Sequence, residues 1–260
     1  MAAGSGSPDV KEAPDENRRP MVVATDHGLC NRLRTVLSYR QVAAANGQEL
    51  MVVWRPDDDC NGEFLDCFAP LPGVTFVSEP PSWDPDPETS NCVHPDISAS
   101  AEIDSYAHLM PSTEVEAAVA ARLLDLAPFA AVHIRRTDLP AFCGPGFAAH
   151  GQTTDAAFEA FLDRHAQHRV FVASCCGKTH ARFRTRYARR LGRAKPPAFS
   201  PHRLRQTALV DAAADLFTCA SAEHFLGSHG SSFSEAIEFL RSSQRGLRMR
   251  SARRDTKASR

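Results

Sequence analysis

The chain has 260 residues, with 30 Lys+Arg against 31 Asp+Glu for a formal net charge of −1, and it is 43% hydrophobic and 23% charged. That is an ordinary globular composition, long enough for one large domain or two small ones, and it excludes collagen, coiled coil and wholesale disorder. No run reaches the roughly 18–20 apolar residues a bilayer-crossing helix needs, so no integral membrane segment is expected; the balanced charge and lack of a binding motif argue against a nucleic-acid partner.

Residues 1–20 (MAAGSGSPDVKEAPDENRRP) lack an apolar core and read as a disordered leader rather than a secretory signal, which points to the cytoplasm unless a signal is missing from the sequence. From Met21 the pattern is strand, turn, helix, strand: MVVAT, the turn DHGLC, a helix with Leu33, Val36, Leu37, Arg40 and Ala44 at spacings of three and four, a stop at Gly47, then ELMVVW. A βαβ start of this kind argues for a parallel sheet covered by helices. Residues 55–112 are rich in Pro and Asp, and the expectation there is irregular structure with short strands such as VTFV (74–77).

A second α/β series follows, with helices expected at about 114–127, 154–166, 178–191, 206–220 and 231–242. Strands are expected at AAVHIRR (130–136), VFVAS (170–174) and HFLGS (224–228). The Arg-rich stretch 245–260 reads as a basic disordered tail. The preferred division is an N-terminal half over 21–112 and a C-terminal half over 113–244, each with its own sheet; one continuous sheet is the alternative.

Charge is unevenly placed. Twelve acids stand against the single base Arg55 between residues 55 and 104, whereas ten bases and no acid lie between Lys178 and Arg205. Read alone, the basic run is either a solvated face or a half that holds a phosphorylated ligand. The eight cysteines form no CxxC pair, so no metal is expected and reduced thiols are the default, with a Cys60–Cys67 disulfide conceivable only in a secreted protein.

Three segments at strand ends carry candidate chemistry, because ligands of open α/β sheets sit at the carboxyl ends of strands. In the first, Gly28-Leu29-Cys30-Asn31-Arg32-Leu33-Arg34, a glycine turn opens a helix that aims N–H groups at an anion, with Arg32 and Arg34 adding charge; a glycine between strand and helix is more often only a turn. In the second, His133-Ile134-Arg135-Arg136-Thr137-Asp138, adjacent arginines at a strand end suit a phosphate clamp, and a structural pair with Asp138 is the alternative. The third joins Asp211, an acid among apolar neighbours, to Gly230-Ser231-Ser232 opening the last helix, either a helix cap or a phosphate cradle.

In this order, GLCNRLR, HIRRTD and LVDAAADLFTCASAEHFLGSHGSSFSEAI resemble the fucosyltransferase superfamily, the group of α-1,6-, Nod-factor and protein O-fucosyltransferases. The resemblance implies an α/β fold of GT-B type with two Rossmann-like halves, here reduced in size, and an inverting, metal-independent transfer of fucose from GDP-fucose to a glycan or protein hydroxyl. It implies no cofactor beyond that donor. By the same resemblance Arg135, with Arg136 and Asp138 beside it, would serve catalysis by stabilising the departing GDP, His133 and Asp211 would recognise guanine, Ser231 or Ser232 would bind phosphate, and Gly28, Asn31 and Arg32 would line the donor site. The chain departs from the pattern in two places. Leu139-Pro140-Ala141-Phe142-Cys143 lacks the lysine and glutamate of core-fucosylating relatives, and Ala173-Ser174-Cys175-Cys176 stands where relatives commonly read ATDD. A base for the acceptor is therefore unassigned, with Asp138 and His150 the nearby substitutes. The alternatives are a catalytically inactive relative that binds nucleotide sugars or serves a structural role, and, more distantly, a sulfotransferase whose usual lysine-bearing phosphate loop is missing.

Overall fold

A computed structural model describes residues 19–136, 153–203 and 205–243. The first strand, β1 (Met21–Thr25), runs into helix α1 (Leu29–Ala45), then β2 (Leu50–Val53), a single helical turn α2 (Phe64–Cys67), β3 (Val74–Val77), the short β4 (Thr89–Ser90) and α3 (Ala99–Ser105). These strands form one parallel sheet in the order β3-β2-β1-β4. After α4 (Thr113–Leu123) come β5 (Phe129–His133), α5 (Asp155–Arg164), β6 (Arg169–Ala173), α6 (Gly177–Arg186), α7 (Leu209–Ala220) and β7 (His224–Gly227), and a last helix, α8, spans 232–243. The second sheet is also parallel, in the order β6-β5-β7, so two separate sheets are present rather than one continuous one.

Most strand positions match the alternation and apolar runs of the sequence. Helix ends are set by local chemistry. Thr154 accepts from the Ala157 N–H at 3.1 Å and starts α5, and Ser112 does the same for α4. Gly47, at φ +69°, takes the left-handed step that ends α1 after Asn46. Helix α3 and strand β4 lie in the acidic stretch read as irregular; Ser98 caps α3 through the Ala101 N–H. The long α4 expected to reach residue 127 ends at Leu123.

Helix α7 lies between the sheets. Nine of its twelve residues are buried, and its hydrophobic side chains share a single core with β1, α1, α2 and α8. Phe217 faces Phe68 with ring centroids 6.1 Å apart, and the Phe64 ring stacks on Phe76 at 4.0 Å under the first sheet. A fully buried Phe or Leu contributes about 1.5–3 kcal/mol, so this shared core fixes the two sheets against each other. The contact continues on the surface, where Arg34 of α1 donates to Glu235 of α8 at 2.6 Å. A smaller core on the far side of the second sheet joins Val132, Phe158, Leu162 and Phe183.

Gly227 closes β7 against α8. A Cβ built there would stand 2.5 Å from the Ser234 Cβ, a distance no real pair adopts. Gly227→Ala is expected to destabilise the protein by about 1–3 kcal/mol through overpacking, and Ser234→Gly in the same background should restore part of it. Urea denaturation midpoints read both; an unchanged midpoint for the single variant would show that the helix yields freely.

Candidate functional site

Both sheets direct their carboxyl ends at one cleft, which with its open mouth encloses about 730 Å³. The β1–α1 turn supplies Gly28 and Asn31, and the chain after β2 supplies Asp59 and Asn61. His133 and Arg135 come from the end of β5, Ser174 and Cys175 from the end of β6, and Ser231, Ser232 and Phe233 from the start of α8. Arg205 and Thr207, just before α7, complete the wall, and Leu209, Ala212 and Asp215 of α7 form the floor. This is where open α/β sheets hold ligands.

The end of β5 is tightly built. Ser228 Oγ accepts the Arg135 N–H at 2.9 Å and donates to the His133 carbonyl at 3.2 Å, tying β5 to β7. His133 Nδ1 lies 2.8 Å from Ser234 Oγ, and its ring stacks on Phe233 with centroids 4.5 Å apart. Burial, followed by the nearby Arg135 and Arg205 guanidinium groups, lowers the His133 pKa to about 3, so the imidazole is neutral at physiological pH. Two cations thus converge on this end of the strand, and the first turn of α8 adds the positive end of a helix.

Several cleft atoms are unsatisfied. Ser231 is fully buried, and its Oγ has no hydrogen-bond partner among the described residues; nor has Asn61 Nδ2. A buried polar group without a partner costs about 1–3 kcal/mol, and a polar ligand in the cleft would remove that penalty. Arg205 approaches Asp59 to 3.4 Å.

Six of the residues expected from the sequence therefore meet here: Gly28, Asn31, His133, Arg135, Ser231 and Ser232. The others stand elsewhere. Arg32 is 1% exposed and does not line the cleft. Its guanidinium donates to the His27 carbonyl at 2.7 Å, to the Arg55 carbonyl at 2.7 Å and to the Asp57 carboxylate. It thereby holds the β1–α1 turn, in which His27 adopts a strained φ of +62°. Arg136 turns away to clamp the start of α5, donating to Asp155 Oδ1 at 2.6 Å and to the Thr153 carbonyl at 2.8 Å. Asp211 points away as well, into an ion pair with Arg122 at 3.2 Å; the cleft receives Asp215, one helical turn on, which meets the same guanidinium at 3.0 Å. Burial raises the Asp215 pKa to about 7 against the opposing pull of Arg122. Asp138, Cys143 and His150 lie outside the described residues.

Gly28 admits a close neighbour, and that neighbour is Arg205, whose Nη2 would sit 3.3 Å from a Cβ at this position. Arg205, Asp59, Asn61 and Asp215 are the cleft residues that sequence reasoning missed. Arg205 closes the basic run, most of which is a solvated face: Arg182 pairs with Asp155 and Glu159, and Arg186 with Glu159 and Asp163, all on α5. At the second departure from the fucosyltransferase pattern, Cys175 lines the cleft and Cys176 starts α6. Burial would raise the Cys176 thiol, but hydrogen bonds with Thr179 and the Lys178 N–H outweigh it and lower the pKa. Cys60 and Cys67 are both free, buried thiols raised to about 12 by burial.

The neutral His133 has a measurable consequence. In the unfolded chain a histidine takes up a proton near pH 6.5, while the folded site resists protonation down to about 3. The unfolded state therefore binds the extra proton in that window, and stability is lost as pH falls through it. His133→Gln should reduce the loss of thermal stability between pH 7.5 and pH 5; equal losses in both proteins would show that His133 is not protected.

No family model and no curated protein matches the sequence. Solved structures do match the fold. A NodZ α-1,6-fucosyltransferase co-crystallised with GDP superposes with a TM-score of 0.56 at 16% identity, over 86% of this chain and 93% of that one. Fucosyltransferase NodZ from Bradyrhizobium gives 0.55 at 14% identity over 86% and 94% of the two chains. POFUT1 in complex with GDP gives 0.55 at 14% identity over 88% and 96%. The chain has the α/β fold with parallel sheets that these GT-B fucosyltransferases share.

Proposed function

We propose that the protein is a GDP-fucose-dependent glycosyltransferase that inverts the anomeric centre and needs no metal for the transfer. The observation that carries this reading is the cleft itself. Arg135, Arg205 and the first turn of α8 converge beside the unpartnered Ser231 hydroxyl, at the carboxyl ends of both sheets. The likeness to fucosyltransferases crystallised with GDP supports the choice of nucleotide and sugar.

In the reaction an acceptor hydroxyl oxygen attacks the anomeric carbon from the face opposite the diphosphate. The bond from that carbon to the β-phosphate oxygen breaks, GDP departs with the electron pair, and the hydroxyl proton passes to a base or to water. Negative charge grows on the diphosphate as the bond opens. Fixed guanidinium groups and helix N–H donors stabilise that charge more in the transition state than in the ground state. Two arginines at this position perform the neutralising role for which other transferases use a divalent ion. Asp215, rather than Asp211, is the carboxylate placed to accept the N–H donors of guanine, with the neutral His133 and Phe233 beside it.

A second reading, a nucleotide-sugar-binding protein without turnover, draws on the state of the cleft carboxylates. Asp59 faces Arg205 and Asp215 faces Arg122, and cysteines occupy the positions where relatives commonly carry acids. Release of GDP from GDP-fucose in the presence of acceptor glycans or peptides separates the two, since only the enzyme turns the donor over.

Calorimetry with GDP should show binding that Arg135→Ala weakens at least tenfold. Asp215→Asn should weaken it comparably and Asp211→Asn much less. No heat with folded protein would end both readings. Burial pushes the Asp215 pKa up to about 7. If guanine needs the ionised form, GDP affinity should fall about tenfold from pH 8 to pH 6, and a flat profile would remove Asp215 from base recognition.

A further inference from the structure

At the opposite edge of the second sheet, away from the cleft, three histidines meet. His165 follows α5, His168 immediately precedes β6, and His224 opens β7, so residues remote in sequence converge across the amino end of β5. The rings of His165 and His224 are stacked with centroids 3.8 Å apart, and His168 meets His224 edge-on at 4.9 Å. Among the described residues no side-chain hydrogen bond joins any two of the rings; the one link is the His168 backbone N–H donating to the His165 carbonyl at 3.0 Å. One ligand nitrogen from each lies within 4.8 Å of the other two.

We propose that His165, His168 and His224 form a binding site for a borderline transition-metal dication, Zn(II) being the best match, which staples β6 to β7. The ligand chemistry fits. Imidazole binds zinc at about 2.0–2.1 Å, so three tetrahedral ligands need nitrogens roughly 3.3–3.5 Å apart. The present separations reach 4.8 Å, so binding requires the stacked rings of His165 and His224 to turn their nitrogens toward a common point.

Two independent features single the cluster out from simple ring packing. His168 has a side chain only 10% exposed, and its Nδ1 is buried with no hydrogen-bond partner among the described residues. Its other nitrogen, Nε2, lies 3.4 Å from Glu223 Oε2, and the same carboxylate reaches His224 Nε2 at 3.6 Å. A carboxylate on one ring nitrogen while the other keeps a lone pair is the arrangement that orients metal-ligating histidines.

The backbone beneath is preorganised. Arg190 donates to the carbonyls of Leu162, His165 and His168 at 3.0, 2.7 and 2.9 Å, locking the turn that presents two of the rings. On the other side Arg241 reaches the Ala222 and Glu223 carbonyls, and the Glu223 N–H donates to Phe129 at 3.0 Å, fixing the segment that presents His224. With those guanidinium groups held by carbonyls, Glu223 supplies the local negative charge. The cysteine spacing, which argued against a metal, was no guide to this site.

The test uses the full chain without a histidine tag, stripped by a chelator and titrated with Zn(II) by calorimetry and with Co(II) by visible absorption. Binding of one ion per chain, with the intense bands of tetrahedral Co(II), is expected. His168→Ala and His224→Ala should each weaken Zn(II) at least about 100-fold, Glu223→Gln about 10-fold, and His108→Ala not at all. Zn(II) should also raise the melting temperature of the native protein and leave that of His165→Asn, altered at a partly exposed position, unchanged. Absence of stoichiometric binding, or binding and thermal shifts that survive these substitutions, would overturn the proposal. Because GDP binding is read separately, neither result bears on the transferase assignment.

Discussion

Arg122 of α4 holds two carboxylates one helical turn apart on α7, nine of whose twelve residues are buried, and the cleft depends on that contact. Helix α7 is apolar on nearly every face, so it can only be stable when surrounded. Its two charges, Asp211 and Asp215, must then share whatever cation its neighbours provide. Arg122, itself 7% exposed, is that cation. The pairing fixes the rotation of α7 about its axis, which puts Asp215 under the cleft and Leu209 and Ala212 beside it. Taking the guanidinium away would leave the Asp215 carboxylate unpaired in an apolar core, which is far more costly than never having placed it there.

The rotation matters because the cleft is electrically prepared. Each cation at its rim has a reason to remain: the backbone at Arg135 is anchored to Ser228, and Arg205 lies over Gly28 near Asp59. A neutral His133 adds shape and a hydrogen-bonding edge without further positive charge. The Ser231 hydroxyl and Asn61 amide, without partners among the described residues, complete a surface that offers a polar ligand more than it offers the folded protein alone. Binding surfaces of this kind give up some stability of the empty state, consistent with the unmet polar atoms found here.

Much of the fold was legible because parallel strands buried on both faces leave short apolar runs. MVVAT and VTFV are strands over the expected residues, the run at 170 is shifted by one residue, and the strand expected over 130–136 starts one residue early and stops three short, at His133. Helix α3 was not legible, since ASAEIDS is polar and lacks a strong apolar stripe. Within the site, the strand-end rule located His133 and Arg135, but alternation along β5 could not tell which arginine a later helix would capture, and Asp155 captures Arg136. Arg32 looked like an anion ligand because the sequence does not reveal that the strained carbonyl at His27 needs a donor. Asp211 and Asp215 lie on one face of a helix at a spacing of four, so periodicity alone made them equivalent; only the tertiary position of Arg122 and the cleft separates them.

The polarity of a parallel sheet then explains why the same residue type does opposite work at its two ends. At the amino edge, strand beginnings and preceding turns present carbonyls that no ladder uses, and Arg190 and Arg241 answer them from the outside. Those arginines stabilise the backbone and leave little for a ligand. At the carboxyl edge the strand ends are succeeded by helix beginnings, which present N–H groups instead, and the arginines there divide: Arg32 and Arg136 hold backbone carbonyls and a carboxylate, whereas Arg135 and Arg205 line the cleft with those N–H donors. A residue count of the basic stretch cannot distinguish these situations. Position relative to the strands does: Arg135 and Arg205 stand beside the helix N–H groups of the cleft, and Arg190 and Arg241 among the carbonyls beneath the histidines.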